Sequence, residues 1–422
     1  MKKTVFASIL ILASSLSPAL ASPAQDLFDQ ATFYLGFYYS GPGKVPNFRE
    51  LRKQYQPELD KRCGTDKACG YDKGLEVINA IITSLNDPFT QVINSDFERL
   101  GSGLGPNTPR LGLITRTHAN ALLVVQALEG EAGWEAGIER GDLIKTVNAK
   151  PATLEALVSA EAENKAITLG IERKGQALNL PAIKPTLADE GQKPSTLKNT
   201  PKNVMVIHIP DFYWDGEVAK KVHALVRKAS VDGTKNMVLD LRDSDTGFES
   251  EAIWSARAFT DQISLKYKSR FKDGLRSFNV EGGRIISKRE GVQGSGSVSE
   301  FAIKPQLFAG NVAILVNKYT KHTGEMMAYI LQKGNKAKVI GEPTAGQLGV
   351  SGGLPSLDVP INITELINGQ YINLSNDRIL DGAGNPYPMQ VTPDIAVPED
   401  FAALASGRDT ALEKAYELLG VK

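Results

Sequence analysis

The spacing of apolar and polar positions changes character several times along this 422-residue chain. Residues 5–16 are almost continuously apolar, preceded by Lys2 and Lys3 and followed by Ala19-Leu20-Ala21. A basic start, an apolar stretch and a small-residue cleavage site predict a signal peptide over 1–21. Ser14, Ser15, Ser17 and Pro18 interrupt the run well before the roughly 20 apolar residues of a membrane-spanning helix. No later stretch is apolar for long enough, so no integral membrane segment is expected after cleavage. Over 22–102, apolar positions such as Leu75, Ile78, Ile82 and Leu85 recur at helical spacing and predict a helical N-terminal region that ends at the turn Asn86-Asp-Pro-Phe-Thr90. Over 103–185 the pattern shifts to short runs, 110–114, 121–125, 142–147 and 167–171, which predict a β-rich domain. Residues 186–203 are rich in Pro, Lys, Thr and Asn and read as a mobile linker. Over 204–398, apolar strands at 204–209, 236–241, 312–316 and 338–340 alternate with helical patterns such as 216–230, as an α/β domain requires. A last helix is expected within 399–422. The fold class is therefore multidomain α/β.

Charge narrows the range of partners. The chain has 48 basic and 48 acidic residues, and loss of Lys2 and Lys3 with the signal leaves 46 against 48, a net charge of about −2. This argues against nucleic acid or an anionic membrane as the main partner. Cys63 and Cys69 are the only cysteines, and in an exported chain a local disulfide is favoured over two free thiols. Four separated histidines and this pair do not supply a zinc ligand set, so no metal or cofactor is expected. His118, His208 and His223 belong to no motif and read as structural or solvated.

The stretch Glu129-Gly-Glu-Ala-Gly-Trp-Glu-Ala-Gly-Ile-Glu-Arg-Gly-Asp142 resembles the signature of bacterial PDZ domains in order and spacing. Asn311-Val-Ala-Ile-Leu-Val-Asn-Lys-Tyr-Thr-Lys-His-Thr-Gly-Glu325 resembles the strand, tight turn and helix start that carry the nucleophile of C-terminal processing (tail-specific) serine peptidases. Asp87-Pro-Phe-Thr90 with 96–100, Val339-Ile-Gly-Glu-Pro-Thr-Ala-Gly-Gln347 and the segment 392–398 extend that resemblance over nearly the whole mature chain. It implies a PDZ domain at 103–185 and a tail-specific-protease-like α/β domain at 204–398.

The same resemblance puts His322 at the serine position, Gln347 at the lysine position and Ser351 at a glutamine position, and it places Gly247 and Thr323 in the oxyanion-hole region. In the family, serine and neutral lysine act as a unit, whereas a neutral glutamine amide takes no proton near pH 7. The loop Asp240-Leu-Arg-Asp-Ser-Asp-Thr-Gly247 keeps one glycine where the family has several, and Asp243 to Thr246 are expected to resist positive φ. A Thr/His/Glu arrangement can be drawn from Thr320, Thr323, Glu325 and Glu342, but side chains at one helix start diverge. His322 is therefore expected as a polar surface residue in a vacated cleft. Arg110, Leu111, Gly112 and Leu113 resemble the loop whose N–H groups hold a peptide C-terminus. The implied function is an exported relative that has lost catalysis and binds protein C-terminal tails. The alternative is an active endopeptidase with a rearranged site.

Overall fold

The computed structural model describes residues 22–93, 109–187, 192–198, 200–213, 216–244, 247–270, 275–281, 284–289, 296–300, 307–352 and 363–421. The expected signal peptide, residues 96–100, Asp245 and Thr246 lie outside them. Among the described residues no helix is long and apolar enough to cross a membrane.

Helices Pro23–Tyr38, Phe48–Cys63 and Tyr71–Ser84 pack through Leu27, Phe28, Leu35, Leu51, Leu59, Val77, Ile78 and Ile81. Ser22 and Asn47 cap the first two, each accepting from backbone N–H groups of the first turn. A disulfide joins Cys63 to Cys69 between the second and third helices. The core of this bundle also takes in Leu366, Ile372 and Leu374 from the far end of the chain. Strand Gln91–Ile93 pairs with Tyr371–Asn373, which pairs with Ile363–Glu365. The helices are thereby fastened onto strands from residues 363–373 rather than standing apart.

Residues 109–187 form a separate unit. Strands Leu113–His118, Ala121–Ala127, Leu143–Val147, Leu169–Arg173 and Gln176–Leu178 lie in that order, so Leu113–His118 is an edge. Helices Ala132–Glu135 and Leu154–Ala162 cover a core of Leu111, Leu122, Val124, Ile138, Ile144, Leu157 and Ile171. Pro109–Arg110 pairs with Thr186–Leu187 and closes the unit at its root. The stretch read as a mobile linker thus contributes a strand here and a second one, Ser195–Thr196, at the edge of the next sheet. Both pairings satisfy backbone groups that polar composition alone could not foretell.

The third unit is built on the parallel strands Val204–His208, Asn236–Asp240, Asn311–Val316 and Ala337–Gly341, with Ile395–Ala396 beside the last. Their sequences are almost wholly apolar because both faces are covered. Helices Glu217–Val231, Glu249–Ala256 and His322–Lys333 bury one face. Thr410–Leu418 buries the other against Val206, Val238, Leu315 and Ile340. The C-terminal segment is two helices, and the first, Phe401–Ala405, docks Leu404 on Leu123 and Val125 of the second unit. An antiparallel sheet that the apolar pattern did not reveal runs Ser297–Glu300, Arg284–Arg289, Leu275–Glu281, Ser264–Ser269, Asp377–Asp381, Val350–Ser351. Its inner strands bring Tyr267, Arg276 and Asp377, and its edge strand brings Ser351, to buried positions.

Candidate functional site

Strand Asn311–Val316 delivers a turn that is fixed before His322 is reached. The Asn317 N–H donates to Thr320 Oγ1 at 3.0 Å, and that hydroxyl donates to the Leu241 carbonyl at 2.8 Å. Thr320 is therefore spent on the turn. His322 follows with φ of 29°, a left-handed conformation that a side-chain-bearing residue adopts at a cost on the order of 1–3 kcal/mol. The surrounding contacts hold it there, as in turns that thrust one side chain out of a strand-to-helix junction.

The side chain does not reach solvent. His322 is 5 % exposed, which corrects the expectation of a surface residue in an open cleft. Its Nε2 lies 3.1 Å from Glu249 Oε1 and 3.2 Å from the Val350 carbonyl oxygen, and the Phe89 ring centroid is 5.1 Å away. Both near atoms are acceptors, so Nε2 carries a hydrogen and has no lone pair to offer as a base. The carboxylate partner is Glu249, not Glu325 or Glu342.

Glu249 opens the helix Glu249–Ala256 and is itself buried. Burial pushes its carboxyl up, but His322, Ser351 and Tyr267 together outweigh that and hold it below the ordinary range. The Tyr267 phenol is pushed well up by burial and by the charge on Glu249. Ser351 stands opposite Asp377 across paired strands. Burial pushes Asp377 up to about 6, with the Arg276 guanidinium, its ion-pair partner, opposing.

Gln347 is placed by Glu325. The carboxylate of Glu325 accepts the N–H groups of Gly346 and Gln347, each at 2.9 Å, and the Thr344 hydroxyl. Burial pushes this carboxyl up to about 7 in spite of those donors. The Gln347 side chain then turns to the N-terminal region and donates to the Pro88 carbonyl at 3.2 Å. Pro88 and Phe89 thus touch Gln347 and His322 respectively. Asp87 braces them, accepting from the Phe89 N–H at 3.1 Å, Thr90 Oγ1 at 2.8 Å and Ser375 Oγ at 2.7 Å.

The loop after strand Asn236–Asp240 has other work. Asp243 was expected to resist positive φ, yet it has φ of 57°. Aspartate tolerates that region better than most residues, and Asp243 is held by Arg116 and by Asn317, which accepts the Asp243 N–H at 3.0 Å. Arg116 also stacks 3.9 Å from the Tyr319 ring centroid, so the second unit grips the turn that precedes His322. Gly247 is needed for packing: a Cβ there would lie 2.3 Å from the Phe212 carbonyl carbon. Thr323 is fully buried. Arg242 pairs with Asp240 at 2.6 Å and with Asp409 at 2.8 Å, and Arg140 joins Asp409 at 2.9 Å. Burial opposes the charge on Asp409, but the two arginines hold its carboxyl well below the usual range.

At the other candidate site, Arg110 is buried and pairs with Glu131 at 2.7 Å. Gly112 has φ of 71°, and a Cβ on it would sit 2.2 Å from Glu131 Cβ, so only glycine fits. The Leu111 N–H donates to Glu161 Oε1 at 2.7 Å. Burial pushes Glu161 up to about 7, with the Leu111 hydrogen bond and Arg110 opposing and Glu131 adding to the rise.

Sequence reasoning missed Glu249, Tyr267, Phe89 and Glu161. The one signal available was a pair of acids, Glu249 and Glu251, just ahead of the apolar Ala252, Ile253 and Trp254.

Residues 203–397 match the model of Peptidase family S41. The chain is 26% identical over 287 residues to a protein of Staphylococcus saprophyticus described as a probable CtpA-like serine protease, covering 65% of this chain and 52% of that one. A Staphylococcus aureus protein of the same description is 25% identical over 276 residues, with 64% and 51% covered. The chain spans about half the length of these relatives. A candidate S41 protease structure from Bacteroides fragilis superposes with a TM-score of 0.56 at 16% identity, covering 93% of this chain and 96% of the other. A candidate peptidase from Parabacteroides merdae gives 0.50 at 12% identity, covering 94% and 97%. These structures share the fold, the α/β domain matches the Peptidase family S41 model, and the chain is similar to CtpA-like serine proteases.

Proposed function

We propose that this protein is an exported, PDZ-containing S41 relative without peptidase activity, which binds protein C-terminal tails through residues 109–187. The observation that carries the loss of activity is the state of His322: buried, donating from Nε2 to Glu249 and the Val350 carbonyl, and capped by Phe89. A nucleophile needs an activated atom facing substrate and a base to receive its proton. Here the ring nitrogen that faces Glu249 is committed as a donor, and Gln347 offers an amide. The tail-binding part rests on the edge strand Leu113–His118 and on Gly112, whose positive φ lets the loop turn its N–H groups inward.

Incubating the purified protein with an unfolded, tail-bearing substrate tests the first part, and the substrate should survive. Cleavage that persists through purification and disappears in His322→Ala would overturn it. A second reading, a peptidase with a rearranged site, draws on the Ser351 hydroxyl, which meets the same carboxylate as His322. Ser351 is 1 % exposed, so substrate would have to displace Phe89 and its neighbours to reach it. Cleavage abolished by Ser351→Ala would favour that reading. Intact mass of the exported protein tests export, with loss of residues 1–21 as the expected result.

A further inference from the structure

We propose that the tail-binding groove of the 109–187 unit is self-occupied: the Glu161 carboxylate sits on the loop where a peptide C-terminal carboxylate would go, and a tail binds only by displacing it. This rests on the tail-binding reading above and adds its regulation.

The loop 110–113 leads directly into the edge strand Leu113–His118, the strand to which a peptide would add. Such a peptide places its terminal carboxylate on the N–H groups at the start of that strand. Leu111 supplies one of these, and it already donates to Glu161 Oε1 at 2.7 Å. Glu161 stands near the end of helix Leu154–Ala162, which packs against Pro109–Arg110. A carboxylate carried by the flanking helix thus makes, inside the chain, a bond that a tail would make from outside. The charges around it do not welcome a second anion. Arg110 is the cation acting on Glu161, and it is already paired with Glu131. Glu131 is engaged further by Thr186 Oγ1 at 3.0 Å and Gln192 Nε2 at 3.3 Å. A tail arriving while Glu161 is ionised therefore meets two carboxylates and one neutralised arginine.

Protonation relieves part of this. Burial pushes Glu161 up to about 7, so acidification below neutrality removes one of the two negative charges while a peptide α-carboxyl stays ionised. A neutral acid also holds the Leu111 N–H less tightly than an ion does. Tail affinity should rise as pH falls from 8 to 6.

The test is titration of the full exported chain, Glu161→Ala and Glu161→Gln with peptides ending in Ala, Val or Leu, as free acids and as amides, at pH 8 and pH 6. The Leu111 amide is followed in parallel by 15N NMR. At pH 8 the alanine variant should bind the free acids about tenfold more tightly than the parent, with the glutamine variant between them. At pH 6 the gap should narrow, because the parent then resembles the glutamine variant. The amides should bind all three weakly and equally. Equal affinity of the three proteins for the free acids at pH 8 overturns self-occupation and leaves the tail-binding reading in place. Failure of all three to bind any free acid, while the Leu111 amide shifts on removal of Glu161, overturns the tail-binding reading; the Glu161 contact is then a structural hydrogen bond and the inference falls with it.

Discussion

Glu249 and Glu161 are both carboxylates withdrawn from water, and the chain treats them in opposite ways. Glu249 receives His322, Ser351 and Tyr267, and these outweigh burial, so its charged form is favoured by the fold. Glu161 receives one backbone N–H and the reach of a shared arginine, and burial prevails. His322 thus meets a carboxylate whose charge the fold favours, whereas the Leu111 N–H meets one whose charge the fold disfavours.

The contrast fixes the sign of each pH effect. A depressed carboxyl contributes stability above its unfolded value that is lost as pH falls through its folded value, and Glu249 is of this kind. Glu161 and Glu325, raised to about 7, contribute stability that is full below their unfolded values and is lost as pH rises toward 7.

The largest expected effect is on the locked site. Glu249→Ala leaves His322 without its carboxylate partner and removes the charge beside Ser351 and Tyr267, and it should cost about 3 kcal/mol at pH 7, read as a lower urea midpoint. A loss below about 1 kcal/mol would show that the cluster does not depend on that carboxylate. Next, replacing Cys63 and Cys69 by serine should cost on the order of 2 kcal/mol. Because the helical region delivers Pro88 and Phe89, amide exchange should quicken at the start of helix His322–Lys333 and stay unchanged at Leu111. Equal quickening at both would mean that the two sites share one cooperative unit. A smaller effect of opposite sign is expected for Glu161→Gln, which should stabilise by about 1 kcal/mol at pH 8 and leave stability unaltered at pH 5. Destabilisation at pH 8 would show that the ionised carboxylate supports the fold. The smallest effect is a null one: His322→Ser with Gln347→Lys should give no measurable turnover, since the new hydroxyl would face Glu249 and lie beneath Phe89. Efficient cleavage would mean that the scaffold around these positions remains catalytically competent.

The apolar rhythm of residues 204–209, 236–241, 312–316 and 338–340 was enough to find the parallel sheet, because strands buried on both faces are continuous in sequence. Helical spacing pointed to a helical N-terminal region, because a helix with one face against a core repeats its apolar residues every three or four positions. The antiparallel sheet escaped notice, since strands such as Leu275–Glu281 and Arg284–Arg289 carry charges among their apolar residues. His322 and Gln347 were singled out by local motifs, which depend only on neighbours in sequence. What those residues meet was not. Glu249, Val350 and Phe89 converge on His322 from a helix, a strand and an N-terminal turn. Glu161 reaches Leu111 across fifty positions of chain. Sequence alone therefore determined which residues stand in these motifs. Only the tertiary structure decided what His322 and the Leu111 N–H meet, because burial and partner choice arise from segments that approach each other after folding.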